Sequence, residues 1–294
     1  MGDRFLNTMI TVFTPTYNRC HTLHRLYDSL CRQTRKNFTW IVIDDGSTDD
    51  TKNYIKQCKG EKLVDIVYCY QKNAGKHVAF NTGVNICETE LFFCVDSDDY
   101  LTDDAIDKIQ TIWQNHDKTD IAGVVANRGF EDGRLIGTKF PEGVEYDTLS
   151  GLYKKGKKGD TALIYRTDVL RMYPFPVFAG ESFIRESIVY NQIDEKYKLL
   201  VLPYVIYIGE YLEDGLSKNA RKHDEESPNG AALYRLDMFK KAGTIKDKFS
   251  YGVAYCYFMD KAGRKREIDD IIGVRWGRLC RSFLWLEKIR RTII

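Results

Sequence analysis

Two hydrophobic periods run along this 294-residue chain, and the change from one to the other divides it. In the first 130 residues, short β-rich runs alternate with stretches of helical spacing. The runs are MITVF (9–13), TWIVI (39–43), DIVYCY (65–70), LFFCV (91–95) and IAGVVA (121–126). Between the first two, HTLHRLYDSLCRQ (21–33) sets Leu23, Leu26, Tyr27 and Leu30 on one helical face. DDGSTDD (44–50) supplies turn and cap residues for a helix near 51–58. HVAFNTGVNI (77–86) is the next helix, and a fourth runs to about 115. Strands alternating with single helices predict an α/β fold with a parallel or mostly parallel sheet, helices covering both faces. Trp40 and Trp113, inside such runs, are expected in the core.

Beyond about 130 the pattern loosens. KKGKKGD (154–160) reads as a solvated loop, and TALIYR (161–166) and LLVLPYVIYI (199–208) read as strands. ESFIRESIVYNQI (181–193) fits a helix with Phe183, Ile184, Ile188 and Ile193 inward. KNARKHDEESPNG (218–230) has few apolar residues and reads as a mobile connection, after which the tail is mostly helical.

Composition works mainly by exclusion. A net charge of +2, with 43% hydrophobic and 29% charged residues, describes an ordinary globular chain and makes no case for a nucleic-acid partner. Eight cysteines form no C-x-x-C pair, which reads as reduced, mostly buried thiols in a cytosolic compartment. MGDRFLNTMI lacks the basic-then-apolar order of a secretory signal, and no apolar run approaches the ~20 residues that span a bilayer. One segment is charged unevenly. IIGVRWGRLCRSFLWLEKIRRTII (271–294) has six Arg or Lys and one acid, with Ile272, Trp276, Leu279, Phe283 and Leu286 at roughly helical spacing. That is the signature of a basic amphipathic helix on an anionic membrane surface; the alternative is a helix packed on the preceding domain or on a second subunit.

In sheets of this kind, ligands bind outside the carboxyl ends of the strands. Those ends read Thr14-Pro15-Thr16, Asp44-Asp45-Gly46 and Asp96-Ser97-Asp98-Asp99. Carboxylates so close repel by ~1–4 kcal/mol per pair near a surface. Two arrangements relieve the repulsion. One is a divalent cation held by D-x-D together with diphosphate oxygens, the ligand set Mg²⁺ and Mn²⁺ favour. The other is a crowded helix start, with Asp103 and Asp104 in its first turn. Other nucleotide and metal sites are a poor match: no G-x-G-x-x-G follows the first strand, Gly75-Lys76-His77 is not a P-loop, and an EF-hand glycine counted from Asp96 falls on Leu101.

Taken in order, TPTYNR (14–19), IVIDDGSTDDT (41–51), NAGKHVAFNTGV (73–84) and VDSDD (95–99) resemble the motifs of family 2 glycosyltransferases of the GT-A fold, over about the first 130 residues. GESFIRESIVYNQIDEKYKL (180–199) and YIGEYLEDGLSKN (207–219) further resemble bacterial members that build capsular or surface polysaccharides. The resemblance implies inverting transfer of a sugar from a nucleotide-diphosphate donor, usually UDP-linked, to a saccharide or lipid-linked saccharide, assisted by Mn²⁺ or Mg²⁺. By it, Thr14, Thr16 and Tyr17 line the nucleotide pocket, and Asp45 accepts from the base. Lys76 matches a basic donor-site position, Asp96 contacts the ribose or nucleobase, and Asp98 coordinates the metal. Asp99 is either a second ligand or a support for the loop.

The family sets its catalytic base near the start of a late helix, often in a Glu-Asp pair. Here the sequence has Glu186-Ser187, so Glu186 is the expected base and Glu181 the next choice. Lys218 and Arg221 are candidates for a lid over the diphosphate, or simply part of a solvated loop, and His77 for a helix cap or a phosphate contact. The implied organisation is a GT-A domain over 1–217, with a nucleotide-binding half to about 130 and an acceptor half beyond it. Residues 218–294 follow as a connection and helical extension. The expected location is cytoplasmic, peripheral at the inner face of a membrane through 271–294. Two other classes share the acidic rim: a nucleotidyltransferase-like metal enzyme, for which TPTYNRCH lacks the Gly-rich basic loop, and a non-catalytic nucleotide-sugar-binding module.

Overall fold

The structure is a computed structural model that describes residues 9–209 and 219–293, with side chains through Trp285. The chain forms two compact units. The first runs to Pro174 and resumes at Val189. The second combines Phe175–Ile188 with the described residues after 218. Residues 175–188, expected within the 1–217 domain, therefore belong with the C-terminal helices.

The first unit begins with β1 (Ile10–Thr16), α1 (Cys20–Arg32), β2 (Phe38–Asp44), α2 (Thr51–Glu61), β3 (Asp65–Tyr70), α3 (Lys76–Ile86) and β4 (Leu91–Cys94). It continues with β5 (Tyr100–Leu101), α4 (Ala105–Gln114), β6 (Ile121–Gly129), β7 (Tyr146–Asp147), α5 (Leu149–Lys154), β8 (Thr161–Arg166) and α6 (Thr167–Met172). It closes with α7 (Ser187–Ile193), whose first two residues count with the other unit, and β9 (Lys198–Ile208).

The sheet runs β3-β2-β1-β4-β8-β6-β9-β5, with β7 on β9. β3, β2, β1 and β4 are mutually parallel. β8 is antiparallel to both β4 and β6, and β6 is parallel to β9. One reversed strand thus separates two parallel groups, and the carboxyl ends of β1, β2, β4, β6 and β9 share a rim. Every residue of β1 and β2 is buried, as expected of strands covered on both faces. Trp40 and Trp113 are both fully buried in this core.

α1 owes its place to its spacing: Leu23, Leu26, Tyr27 and Leu30 are buried, each contributing ~1.5–3 kcal/mol relative to exposure. It ends where Gln33 turns extended (φ −49°, ψ 131°). The Gln33 amide then donates to the Thr102 carbonyl at 2.7 Å and accepts from the Ile106 N–H at 3.1 Å. Ser29 Oγ accepts from the Leu101 N–H at 3.2 Å. α1 therefore anchors the chain just beyond the acidic stretch.

The second unit holds α8 (Ala220–Glu226), α9 (Pro228–Lys241), α10 (Ile245–Lys261), α11 (Ile268–Ile272) and α12 (Val274–Ile293). Its core includes Ala231, Phe239, Tyr255, Phe258, Met259, Ile268 and Cys280. Among the described residues, no helix is long and apolar enough to cross a membrane.

Three local expectations change, and the C-terminal stripe divides between a packed and an outward side. In 154–160, Lys157 is only 2% exposed: its ammonium donates to Asn127 Oδ1 at 3.0 Å and to the Thr138 carbonyl, 4.8 Å from the Phe140 ring centroid. Hydropathy reads lysine as solvated and cannot register acceptors that converge from distant segments. In 181–193 only Ser187–Ile193 is helical, because Glu181 is drawn to the start of α9 and Arg185 to Asp224. Much of the expected connection 219–230 is helical, since buried Asp224 pairs with Arg185 at 2.6 Å and Arg235 at 2.9 Å. In the C-terminal segment, Ile272 is buried and Trp276 packs edge-on to Phe239 at 5.4 Å. The outward face of α12 carries Arg275, Arg278 and Ser282, with Val274, Leu279 and Trp285 beside them; the Leu286 side chain lies outside the described residues.

Candidate functional site

The rim is assembled from short polar stretches that follow each strand. At β1, Thr14 is fully buried and its hydroxyl accepts from Trp40 Nε1 at 3.0 Å, so it lies beneath the surface rather than on it. Thr16 comes next; its hydroxyl is buried with no hydrogen-bond partner among the described residues. Tyr17 is 50% exposed. Asn18 takes a left-handed φ of 52°, and its amide oxygen accepts from the Thr48 N–H at 2.8 Å, which ties the loop after β1 to the loop after β2.

At β2, Asp44 accepts from the Ser47 N–H at 2.8 Å and the Tyr68 hydroxyl at 2.7 Å. Asp45 is buried and accepts from Gln71 Nε2 at 2.7 Å and from the N–H groups of Ala74 and Gly75 at 3.0 and 2.8 Å. Its carboxylate thus shapes the 71–75 loop that leads into α3. Gly46 completes this turn at φ 87°, and a Cβ there would lie 2.7 Å from the Asn73 nitrogen. The N-cap of α3 is Gly75, and His77, the second residue of the helix, is buried.

Lys76, the first residue of α3, reaches Asp96 at 2.6 Å. The acidic stretch after β4 is a tight turn closed by the Asp99 N–H to the Asp96 carbonyl at 3.2 Å. Asp99 is 4% exposed and faces inward: it accepts from Arg128 Nη2 at 2.6 Å and from the Tyr207 hydroxyl at 2.7 Å. The same Tyr207 hydroxyl accepts from the Asp96 N–H at 3.0 Å.

The three carboxylates therefore have different surroundings. Burial works to raise Asp96, but Lys76 and Arg128 outweigh it and hold the group below the usual aspartate range. For Asp98, burial comes first and the charge of Asp96 adds to it, so its carboxyl lies above that range despite Arg19 and Lys76. Burial raises Asp99 as well, against the pull of Arg128. Asp98 thus feels the positive charges of Arg19 and Lys76 without their outweighing its burial. Among those residues no cluster of three or more His, Cys, Asp or Glu could by itself hold a metal ion. A cation here would take one carboxylate, Asp98, and fill its remaining positions with phosphate oxygens and water. Mg²⁺ and Mn²⁺ accept that donor set, and a cation would offset the repulsion from Asp96.

The candidate bases lie in the second unit. Glu181 accepts from the Asn229 N–H and Nδ2, both at 2.8 Å, and from the Gly230 N–H at 2.9 Å. That is the role of an acid at a helix N-terminus, here α9. Glu186 is exposed, directly before α7. Arg221 lies in α8, and Lys218 lies outside the described residues. The sequence reading did not single out Arg128 and Tyr207. The available signal was an arginine and a tyrosine ending two apolar strands on a rim already crowded with carboxylates.

The profile of "Glycosyl transferase family 2" matches residues 11–179, more than half of the chain. Poly(ribitol-phosphate) beta-N-acetylglucosaminyltransferase TarP of Staphylococcus aureus (strain N315) is 29% identical over 168 residues, 56% of this chain and 48% of that protein. The chain spans about half the length of TarP and as little as 13% of other curated relatives. Two solved structures share the fold. S. aureus TarS 1–349 in complex with UDP-GlcNAc has a TM-score of 0.58 at 17% identity, over 94% of this chain and 92% of that one. The mannosyltransferase PcManGT from Pyrobaculum calidifontis, in complex with GDP-Man and Mn²⁺, has a TM-score of 0.56 at 16% identity, over 97% and 81%. The fold is the GT-A arrangement of α/β sheet and C-terminal helices, and the chain belongs to glycosyl transferase family 2.

Proposed function

We propose that this chain is an inverting, metal-assisted glycosyltransferase, moving a hexosyl unit from a nucleotide-diphosphate sugar, UDP-linked, to a saccharide or lipid-linked saccharide in polysaccharide synthesis. The single observation that carries the reading is the division of labour in the acidic turn. Lys76 neutralises Asp96, Arg128 and Tyr207 hold Asp99, and Asp98 is left to meet a cation and a diphosphate. UDP-GlcNAc in TarS and GDP-Man with Mn²⁺ in PcManGT support it by analogy of fold.

In this reading Asp45 and Thr16 border the nucleotide pocket, with Thr14 beneath them and Tyr17 at its edge. Asp96 meets the ribose or base. Glu186 takes the proton of the acceptor hydroxyl, whose oxygen attacks the anomeric carbon on the face opposite the diphosphate. The bond from that carbon to the phosphate oxygen breaks, and its electron pair leaves with the nucleoside diphosphate. Lys76 adds positive charge beside the donor site. Mn²⁺ or Mg²⁺ on Asp98 would supply charge stabilisation for the leaving diphosphate without proton transfer. Contact of 271–294 with an anionic membrane at the cytoplasmic face belongs to the same reading, supported by Arg275, Arg278 and exposed Leu279 and Trp285. The donor and acceptor halves fall to either side of about residue 130.

Calorimetric titration with UDP, with and without Mn²⁺, tests the donor site, and release of UDP from UDP-sugars in the presence of candidate acceptors tests turnover. No binding of UDP or any other nucleoside diphosphate would sink the reading. One observation favours a second reading, a nucleotide-sugar-binding module without turnover: Glu181 is committed to α9, and Glu186 precedes serine rather than aspartate. Nucleotide binding with no transfer to any acceptor would select it.

A further inference from the structure

The acidic turn is clamped at both ends by one hydroxyl. Tyr207 donates to the Asp99 carboxylate at 2.7 Å and accepts from the Asp96 N–H at 3.0 Å, while Asp99 N–H closes the turn onto the Asp96 carbonyl. Ser97 and Asp98 are the two residues in between. Their placement thus depends on where Tyr207 sits, and three features fix that. Tyr207 is paired across strands with Arg128 on β6 and with Leu101 on β5. The Arg128 guanidinium lies 4.0 Å from its ring centroid. Gly209 follows with no room for a side chain, since a Cβ would lie 2.6 Å from Arg128 Nη2 and 2.8 Å from Asp99 Oδ1.

Such a knot is an expensive way to fill space. A buried ion pair commonly stabilises a fold no better than apolar side chains of the same volume, because both charges must leave water. What it gives instead is fixed geometry, through a planar guanidinium and a hydroxyl that each have one good arrangement. The knot is one residue away from Asp98.

We infer that Arg128 and Tyr207 are positioning residues that set Asp98 at the spacing a divalent cation and a nucleoside diphosphate require, an inference that rests on the donor-site reading above. Neither side chain is assigned contact with the donor. Their effect is to hold the turn in its binding geometry before the ligand arrives, so that none of the binding energy is used to order it.

The test uses the full chain, with UDP and MnCl₂ as probes, and the variants Tyr207→Phe and Arg128→Met. Tyr207→Phe keeps the ring and removes both hydrogen bonds to the turn. The expected result is that the gain in UDP affinity conferred by Mn²⁺ falls about tenfold or more in each folded variant. UDP affinity without metal stays within about twofold of the unaltered chain. A merely structural role would lower the melting temperature and leave the metal-dependent gain intact. Gly209→Ala provides a third variant that displaces the knot without removing a polar group. Variants that fold and keep the full Mn²⁺-dependent gain overturn the inference alone. An unaltered chain that binds no UDP with or without Mn²⁺ overturns the donor-site reading and this inference together.

Discussion

Lys76 Nζ and a carboxylate oxygen of Asp96 stand 2.6 Å apart, joining the first residue of α3 to the carboxyl end of β4. Both side chains are partly exposed on the rim. Lys76→Met removes the cation that holds Asp96 ionised and adds to the repulsion around Asp98. UDP affinity is expected to fall about 10-fold or more, measured calorimetrically, since a charge-assisted bond to phosphate or carboxylate is worth ~1.5–3 kcal/mol. An unchanged affinity would remove Lys76 from the donor site.

Asp98→Asn separates metal from nucleotide. In the proposed site it abolishes the Mn²⁺-dependent rise in melting temperature with UDP and leaves any metal-free rise in place. Ligand at 100 times its dissociation constant stabilises a fold by ~2.7 kcal/mol, which is readily seen in a thermal scan. A variant that responds to Mn²⁺ and UDP like the unaltered chain would exclude Asp98 as a ligand.

Glu181 and Glu186 are expected to fail in different ways. Glu181→Ala orphans two backbone N–H groups of α9 and should destabilise the chain by ~1–3 kcal/mol in urea unfolding. Glu186→Gln should leave UDP binding alone and lower kcat by ~10²–10⁴, the contribution of a general base. If instead Glu186→Gln transfers sugar at the unaltered rate, the base is elsewhere.

Lys157 gives a pH signature in stability. Burial lowers the pKa of its ammonium below the ordinary lysine value. Between the lowered folded value and the ordinary unfolded one, the unfolded chain holds a proton that the folded chain has released. Stability due to this group therefore rises with pH across that window, and below it the cost of burying the charge is present in full. Lys157→Met should flatten this rise relative to the unaltered chain when urea midpoints are compared from pH 8 to pH 11. Parallel curves would show that the ammonium is not penalised.

The sheet and the order of its motifs were legible because apolar runs and turn residues are local signals. Ile10–Phe13, Trp40–Ile43 and Leu91–Val95 announce themselves, and so do the polar stretches that end them. What was not legible depends on pairs far apart in the chain. Nothing near Lys157 tells that Asn127 and Thr138 await it. Nothing near Glu181 tells that α9 begins with unsatisfied N–H groups beside it, and hydropathy carried the helix through that residue. Asp99 was expected as either a second ligand or a support for the loop, and nothing near it tells that Arg128, 29 residues on, pairs with it.

The bond from the Asp96 N–H to the Tyr207 hydroxyl closes a loop of 111 residues, among the longest reaches in the fold. During synthesis, β1 to β4 leave the ribosome with their local partners at hand, but the acidic turn stays without its clamp until β9 has emerged and paired. Contacts of such separation form late, because the chain must first surrender the entropy of the intervening segment. A nascent or truncated chain ending before residue 198 would carry nearly every donor-site motif and still lack an ordered D-x-D turn. In the proposed site, completion of the sheet, rather than translation of the motifs, would then be the event that switches metal-dependent binding on.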